Sequence, residues 1–539
     1  MRGLLLAALA VLLTMTLVAA PNARADAGGL TCTIVDLGLT LDDTWPGGYN
    51  VIFGENPWDK SWTRDVSGTA TCTRPDLAQT MTVQLSAPGS YLYVMGCSDG
   101  GGDYFQGEGR LSGTMRFTLP GGLTETRPYR ITYTANQPGK FIIDTTESPK
   151  VDWKLDGRGR PCGYDEPFIH RLTFVGAFSI PFSPANPKVL TKLPFGPGSP
   201  GHPDPIAASA DGTRLYVGTF TTALSVLADR PPPSLDPSRV YAINTANGAI
   251  TNSWTIAGQR TAEAHGLTGI ALDSAGRLYI TDVNPARVVR LDPATGAQST
   301  YATIPDLKPC ALNGTPIGAT GNCSNEPIEF GDRKPLPNGA AFTSNGTLYV
   351  TDTTQGTIWK IPPGGGQAQK WFDDDRLASF IGPNGIRTMA DGQTLVFIVS
   401  NSQPLGALDG LQGKVYKLPV NTNGTPGTLQ TIWTSLPNEG PDSLAISSSG
   451  NIYIAEAGDG TRTGFVVISP TGQVLQRRGN PFQRLTADIA YDTVADVAFV
   501  GSRVFFTNSS NFNGNPVNMA VFEYSAGQSG ITVPKPSVP

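Results

Sequence analysis

Six segments of this 539-residue chain repeat one pattern, and that repetition restricts the fold more than any single motif does. Each has a short polar entry, an apolar run, a turn with glycine in or near it, and a second apolar run. They span residues 204–217, 268–280, 338–350, 384–396, 442–454 and a degenerate sixth, 495–506. A third apolar strand follows each, at 239–243, 287–291, 357–361, 414–418, 465–468 and 520–524. Four antiparallel strands recurring every ~45 to 70 residues form the pattern of propeller blades. One such sheet cannot bury both faces alone, so six must pack around an axis. Residues 188–193 supply an outermost strand for the last blade and so close the ring. The propeller is expected over 204–530, after a Pro/Gly/Ser-rich linker at 183–203 and before a tail at 531–539.

Aligning the repeats on their first turn brings one position into view, immediately before each innermost strand. It holds Asp204, Thr268, Asn338, Asn384, Asp442 and Ala495. Innermost strands of a propeller run beside its central channel, so these side chains are expected at one mouth. Four of the six carry Asp or Asn. Oxygen-only donors suit a single divalent cation, calcium first, with magnesium or manganese as alternatives. Two carboxylates would neutralise it, and without it they would raise each other's pKa. Asn and Asp are also favoured at strand entries because they form Asx turns, and Pro337-Asn338-Gly339 and Pro383-Asn384-Gly385 are turn sequences in their own right. Recurrence at equivalent places in four repeats is what argues for a site.

The region 26–182 differs. Residues 81–85, 91–94, 114–119 and 129–133 alternate apolar with polar side chains, and Pro-Gly pairs punctuate them, as in half-buried antiparallel strands. The expected fold class is therefore all-β: a six-bladed β-propeller preceded by a small disulfide-stapled β-sandwich. Trp45, Trp58, Trp62 and Tyr104 fit either the core of that first domain or a face for a ligand at the cell surface.

Residues 1–25 read as a secretory signal peptide. Arg2 precedes an apolar stretch at 4–20, and Ala23-Arg24-Ala25 forms a small-x-small cleavage site. An uncleaved anchor is the competing possibility. After cleavage no integral membrane segment is expected, because no later stretch is apolar enough. Export makes the six cysteines interpretable as disulfides. Cys310 and Cys323 enclose a Gly/Asn/Thr-rich loop and pair with each other. Cys32, Cys72, Cys97 and Cys162 form two further bridges, with three connectivities open. Charged residues make up only 15% of the chain and the net charge is −5. With Lys and Arg scattered singly, this excludes nucleic acid and a polybasic membrane surface as partners.

Pro337-Asn338-Gly339, Gly382-Pro383-Asn384-Gly385-Ile386 and Glu439-Gly440-Pro441-Asp442 resemble the SMP-30/gluconolactonase/paraoxonase superfamily of NHL-type propellers. The resemblance runs over about residues 204–524. It implies one divalent cation at the channel mouth, held at Asp204, Asn384 and Asp442, with Asn338 close by as a substrate-binding residue. Asp204 stands where that pattern has the longer Glu. The paraoxonase branch also uses histidines, which points to His265 and to His202 just before Asp204. Together these imply a secreted metal-dependent lactonase or esterase acting on a small-molecule substrate. Asp442 would be ligand and general base, and His265 or His202 would carry a proton. The alternative is a non-catalytic binding module for polysaccharide or protein, its ring made of turn formers or a structural cation site. A strictosidine-synthase-like propeller would need a channel glutamate. Glu439 and Glu263 lie near the right strands but outside the ring position.

Overall fold

The computed structural model describes the nine strands between residues 30 and 180, and then 188–195, 201–221, 236–310, 322–327, 330–401, 412–458, 463–479, 489–511 and 516–539. Residues 1–29, with the expected signal peptide, Trp45, Trp58 and Cys162 lie outside the described residues. The chain divides into two compact units, one formed by Pro184–Asn480 with Ile489–Pro539, the other lying within residues 9–183. Among the described residues there are strands and short 3-10 turns, and no helix long and apolar enough to cross a membrane.

In the first unit by sequence, nine strands form a single sheet. Lys60–Arg74 pairs with Leu30–Asp42 on one side and with Gln79–Cys97 on the other, so the sheet closes on itself. The all-β, disulfide-stapled character expected from the alternation is present, organised as a closed ring of strands and not as two stacked open sheets. Alternation specifies which face is buried but not whether the edge strands meet. Ile34, Val83, Leu85, Phe117, Ile131 and Phe174 are buried. Cys32 and Cys72 are register partners on adjacent strands and are disulfide-bonded.

The second unit is a propeller of six sheets. Blade 1 runs His202–Ala208, Arg214–Phe220, Arg239–Asn244 and Ile250–Thr255 from the inside outwards. Blades 2 to 5 begin at Leu267–Leu272, Pro337–Phe342, Pro383–Thr388 and Pro441–Ile446. Blade 6 is built of Val494–Val500, Arg503–Asn508 and Ala520–Ser525, and its outermost strand is Lys188–Lys192, from before blade 1. The ring is thus closed by hydrogen bonds between the two ends of its own sequence. Apolar faces of neighbouring blades form the core; Tyr279, Tyr301, Phe342 and Trp359 meet between blades 2 and 3.

Every innermost strand carries a register shift near its start. It falls between Pro203 and Ile206, Leu267 and Gly269, Pro337 and Ala340, Pro383 and Ile386, Pro441 and Leu444, and Val494 and Val497. Such a bulge re-aims a side chain and leaves backbone groups unpaired in the ladder. Threonines satisfy some of these from the preceding blade: Thr281 Oγ1 donates to the Asn338 carbonyl (2.6 Å), and Thr507 Oγ1 to that of Asp204 (2.7 Å). Glycine beside the bulge lets the strands converge. A Cβ at Gly269 would stand 2.3 Å from the Asn338 oxygen, and one at Gly339 2.6 Å from the Ile386 nitrogen.

The expected tail packs on the propeller at the end opposite these bulges. Ser529 O accepts from Ser448 N, Ile531 N donates to Ile446 O, and Gly530 N donates to Gly501 O. Lys535 Nζ reaches Ala208 O, Pro536 O accepts from Ser274 N, and Pro534 and Pro536 lie beside Gly392 and Gly346. Val538 is buried in the cluster shared by blades 2 and 3. The segment thereby touches all six blades.

Candidate functional site

The bulges place Asp204, Thr268, Asn338, Asn384 and Asp442 around one cavity of about 70 Å³ at the channel mouth. Phe220, Leu336, Thr353, Ile381, Ser400, Ala457, Thr493 and Asn511 complete most of its wall. Ala495 occupies the equivalent bulge in blade 6 and is buried.

The amide nitrogens at the mouth face protein hydroxyls. Asn338 Nδ2 donates to Thr353 Oγ1 (3.1 Å) and Asn384 Nδ2 to Ser400 Oγ (2.9 Å). Each amide therefore keeps its Oδ1, and among the described residues neither oxygen takes a hydrogen bond. Burial pushes the Asp204 carboxyl well above the usual range, with the Asp442 and Asp496 carboxylates adding to the shift. Burial and then Asp496 likewise raise Asp442, to about 8, against a hydrogen bond from the Asn384 side chain. Among the described residues no Lys or Arg lines the cavity. Two carboxylates without a counter-charge beside two unengaged amide oxygens make a donor set that fits a hard divalent cation. The described residues contain no cluster of three or more His, Cys, Asp and Glu suited to a metal, so any such site depends on the Asn oxygens.

The third carboxylate is the one the repeat alignment missed. Asp496 sits one residue beyond Ala495, at the place held by Gly269, Gly339 and Gly385 in blades 2 to 4. Its Oδ2 accepts from Ile206 N (2.9 Å), and its Oδ1 from Val497 N and from Arg387 (both 2.7 Å). Arg387 belongs to blade 4, so this ion pair reaches past blade 5 and links blades 1, 4 and 6. Away from the ring position, Arg387 and Asp496 are two charges of opposite sign within the innermost strands, a signal present in the sequence.

The histidines do not join the ring. His265 is fully buried, with its ring nitrogens 2.8 and 2.9 Å from the Glu263 and Asp236 carbonyls, and it does not line the cavity. At His265, where a proton carrier is expected, both ring nitrogens lie against backbone carbonyls. His202 is buried beside blade 6, its Nδ1 2.7 Å from Ser509 O, and it too is outside the cavity lining. Burial lowers its pKa against the opposing effects of that carbonyl and of Asp492. Glu439 is bound by Arg477 and by Leu436 N, and Glu263 by Lys334 and Asn284. Neither enters the cavity lining. Cys310 and Cys323 are disulfide-bonded.

No protein-family model matches the chain, and no curated relative matches it. Solved structures do. A protein described as the calcium-binding protein regucalcin, from Agrobacterium tumefaciens, is 16% identical at a TM-score of 0.42, covering 66% of this chain and 98% of its own. A Xanthomonas campestris gluconolactonase is 18% identical at 0.35, covering 62% and 98%. Virginiamycin B lyase from Staphylococcus aureus is 12% identical at 0.35, covering 69% and 89%. These are likenesses of fold. The propeller of this chain rests on its own strand pairing, and its chemistry on the mouth just described.

Proposed function

We propose that this chain is a secreted, divalent-cation-dependent hydrolase of lactones or esters, acting at the propeller mouth with calcium as the cation. One observation carries this: Asp204 and Asp442 are held with the Asn338 and Asn384 oxygens around one cavity, and among the described residues no Lys or Arg lines it. Asp204, Asn384 and Asp442 would hold the ion. When bound, it would polarise a substrate carbonyl and lower the pKa of a nearby water.

The chain's own residues supply the rest. Asn338 offers Oδ1 to the substrate, its nitrogen being fixed on Thr353. With both histidines off the cavity lining, proton transfer falls to Asp442, the carboxylate expected as ligand and base. Its carboxylate accepts the proton of water as the water oxygen adds to the carbonyl carbon. It returns that proton to the alkoxide oxygen as the acyl C–O bond breaks. The test is a panel of lactones and aryl esters assayed with and without chelator, and with Asp442→Ala. Hydrolysis indifferent to both chelator and substitution would sink the proposal.

The absence of His202 and His265 from the cavity lining favours a second function, a binding propeller whose oxygen ring is a structural cation site. Chelation would then lower Tm while every member of the panel stayed intact.

A further inference from the structure

Blade 1 enters the ring on a sequence short of backbone donors. Asp204 lies between Pro203 and Pro205, neither of which has an N–H to give. The register of its strand also slips between Pro203 and Ile206. Two bonds from blade 6 hold this bulge. Thr507 Oγ1 donates to the Asp204 carbonyl (2.7 Å), and Asp496 Oδ2 accepts from Ile206 N (2.9 Å). The backbone carrying Asp204 is thus fixed, at that residue and just beyond it, by a neighbouring blade.

Asp496 stands where three other inner strands have glycine. A Cβ on Gly269, Gly339 or Gly385 would lie 2.3, 2.6 and 2.3 Å from the next blade, so those junctions are closed by close approach. Between blades 6 and 1 a buried carboxylate occupies that place instead. Its second oxygen is fixed too: Oδ1 accepts from Val497 N and from the Arg387 guanidinium (both 2.7 Å). Arg387 follows Asn384 by three residues on the innermost strand of blade 4, and is anchored there by donating to Ile386 O (2.9 Å). One carboxylate therefore connects the strands that carry two of the expected ligands, Asp204 and Asn384. Because Arg387 balances it, the pair orders these strands and adds no net charge beside the mouth.

We infer that Asp496, held by Arg387, is a positioning residue of the mouth: it fixes the bulge that presents Asp204 to the cavity, and so governs how tightly the ring holds a cation. This rests on reading the ring as a cation site. The test measures calcium affinity by calorimetry and, with terbium as a luminescent substitute, the number of waters on the bound ion. It compares the native chain with Arg387→Met combined with Asp496→Val, which removes one charge of each sign. Calcium affinity should fall about tenfold to a hundredfold, as when the partner that orients a metal ligand is lost. The terbium ion should gain about one water where Asp204 no longer reaches it. In an Asp204→Ala background the same two substitutions should weaken calcium by less than about twofold, because the residue they act through is gone. Asp352→Asn, outside the cavity lining, should leave affinity and water number as in the native chain. If the combined variant fails to fold, the isosteric Asp496→Asn decides on the water number, which loss of charge does not itself move. Unchanged affinity and water number, or a fully additive loss in the Asp204→Ala background, overturns this inference and leaves the cation site standing. A native chain that binds neither calcium nor terbium removes the cation site as well.

Discussion

Asp352 and Asp442 are carboxylates of the same propeller, the first fully buried and the second half-buried on the cavity, and their surroundings are opposite. Asp352, at the end of the second strand of blade 3, accepts from Leu336 N, Gln355 N, Gln355 Nε2, Thr354 Oγ1 and Trp359 Nε1. Asp442, at the start of the first strand of blade 5, has the Asn384 side chain as a donor and other carboxylates for company. Desolvating a carboxylate is unfavourable in both places. At Asp352 the protein offsets that with hydrogen bonds which fix a turn and an indole. At Asp442 the described residues supply the Asn384 donor and further carboxylates, and no Lys or Arg lines the cavity. A carboxylate saturated with donors marks architecture; one that lines a cavity beside others of its own charge marks a candidate site.

Asp496 lies between these cases, and removing its partner would break the distinction. Arg387→Met should leave its charge enclosed without a cation and cost about 3–5 kcal/mol in denaturant unfolding. Arg387→Met combined with Asp496→Val should recover much of that loss. Asp442→Asn removes charge from the mouth while keeping shape. It should abolish the calcium-induced rise in Tm and lower kcat/KM on the preferred lactone by at least about a hundredfold. Asp352→Asn should do the reverse, keeping the calcium response of the folded protein while lowering stability by about 2 kcal/mol in the same unfolding assay, because an amide cannot accept from all five donors.

Glu326 sharpens the comparison at its mild end. It is fully buried, its Oε2 accepts from Arg333 N, and its Oε1 has no partner. Burial raises its pKa to about 8, above its unfolded value. The stability it contributes is complete below about pH 4.5 and is lost as pH rises through about 8. Glu326→Gln should therefore flatten the fall of Tm across that interval by about a few degrees, measured on calcium-free protein at several pH values. An unchanged slope would show that this carboxyl is satisfied.

The repeat grammar made the blades and the position of the mouth legible, because a strand entry recurring six times places its residue on one axis whatever the loops do. It made Ala495 visible and Asp496 invisible. Alignment assigns one residue per bulge, whereas a bulge presents two in succession, and the second is glycine in the three middle blades. His265 shows the complementary limit: nearness to the mouth along the chain does not say which way a ring faces, and its nitrogens are held by backbone carbonyls. The apolar wall was hidden because Phe220, Leu336 and Ile381 come from three separate strand ends and approaches with no shared spacing. The closed first sheet was hidden because strand alternation is the same in a ring as in a sandwich.

The segment at the far end of the propeller bears on how the ring holds together. Ile531, Lys535 and Pro536 bond to blades 5, 1 and 2, and the Arg387–Asp496 pair ties blades 4 and 6 in the interior. Blades that are distant in the sequence are thus strapped to one another, and the circle does not rely on its one closing seam alone.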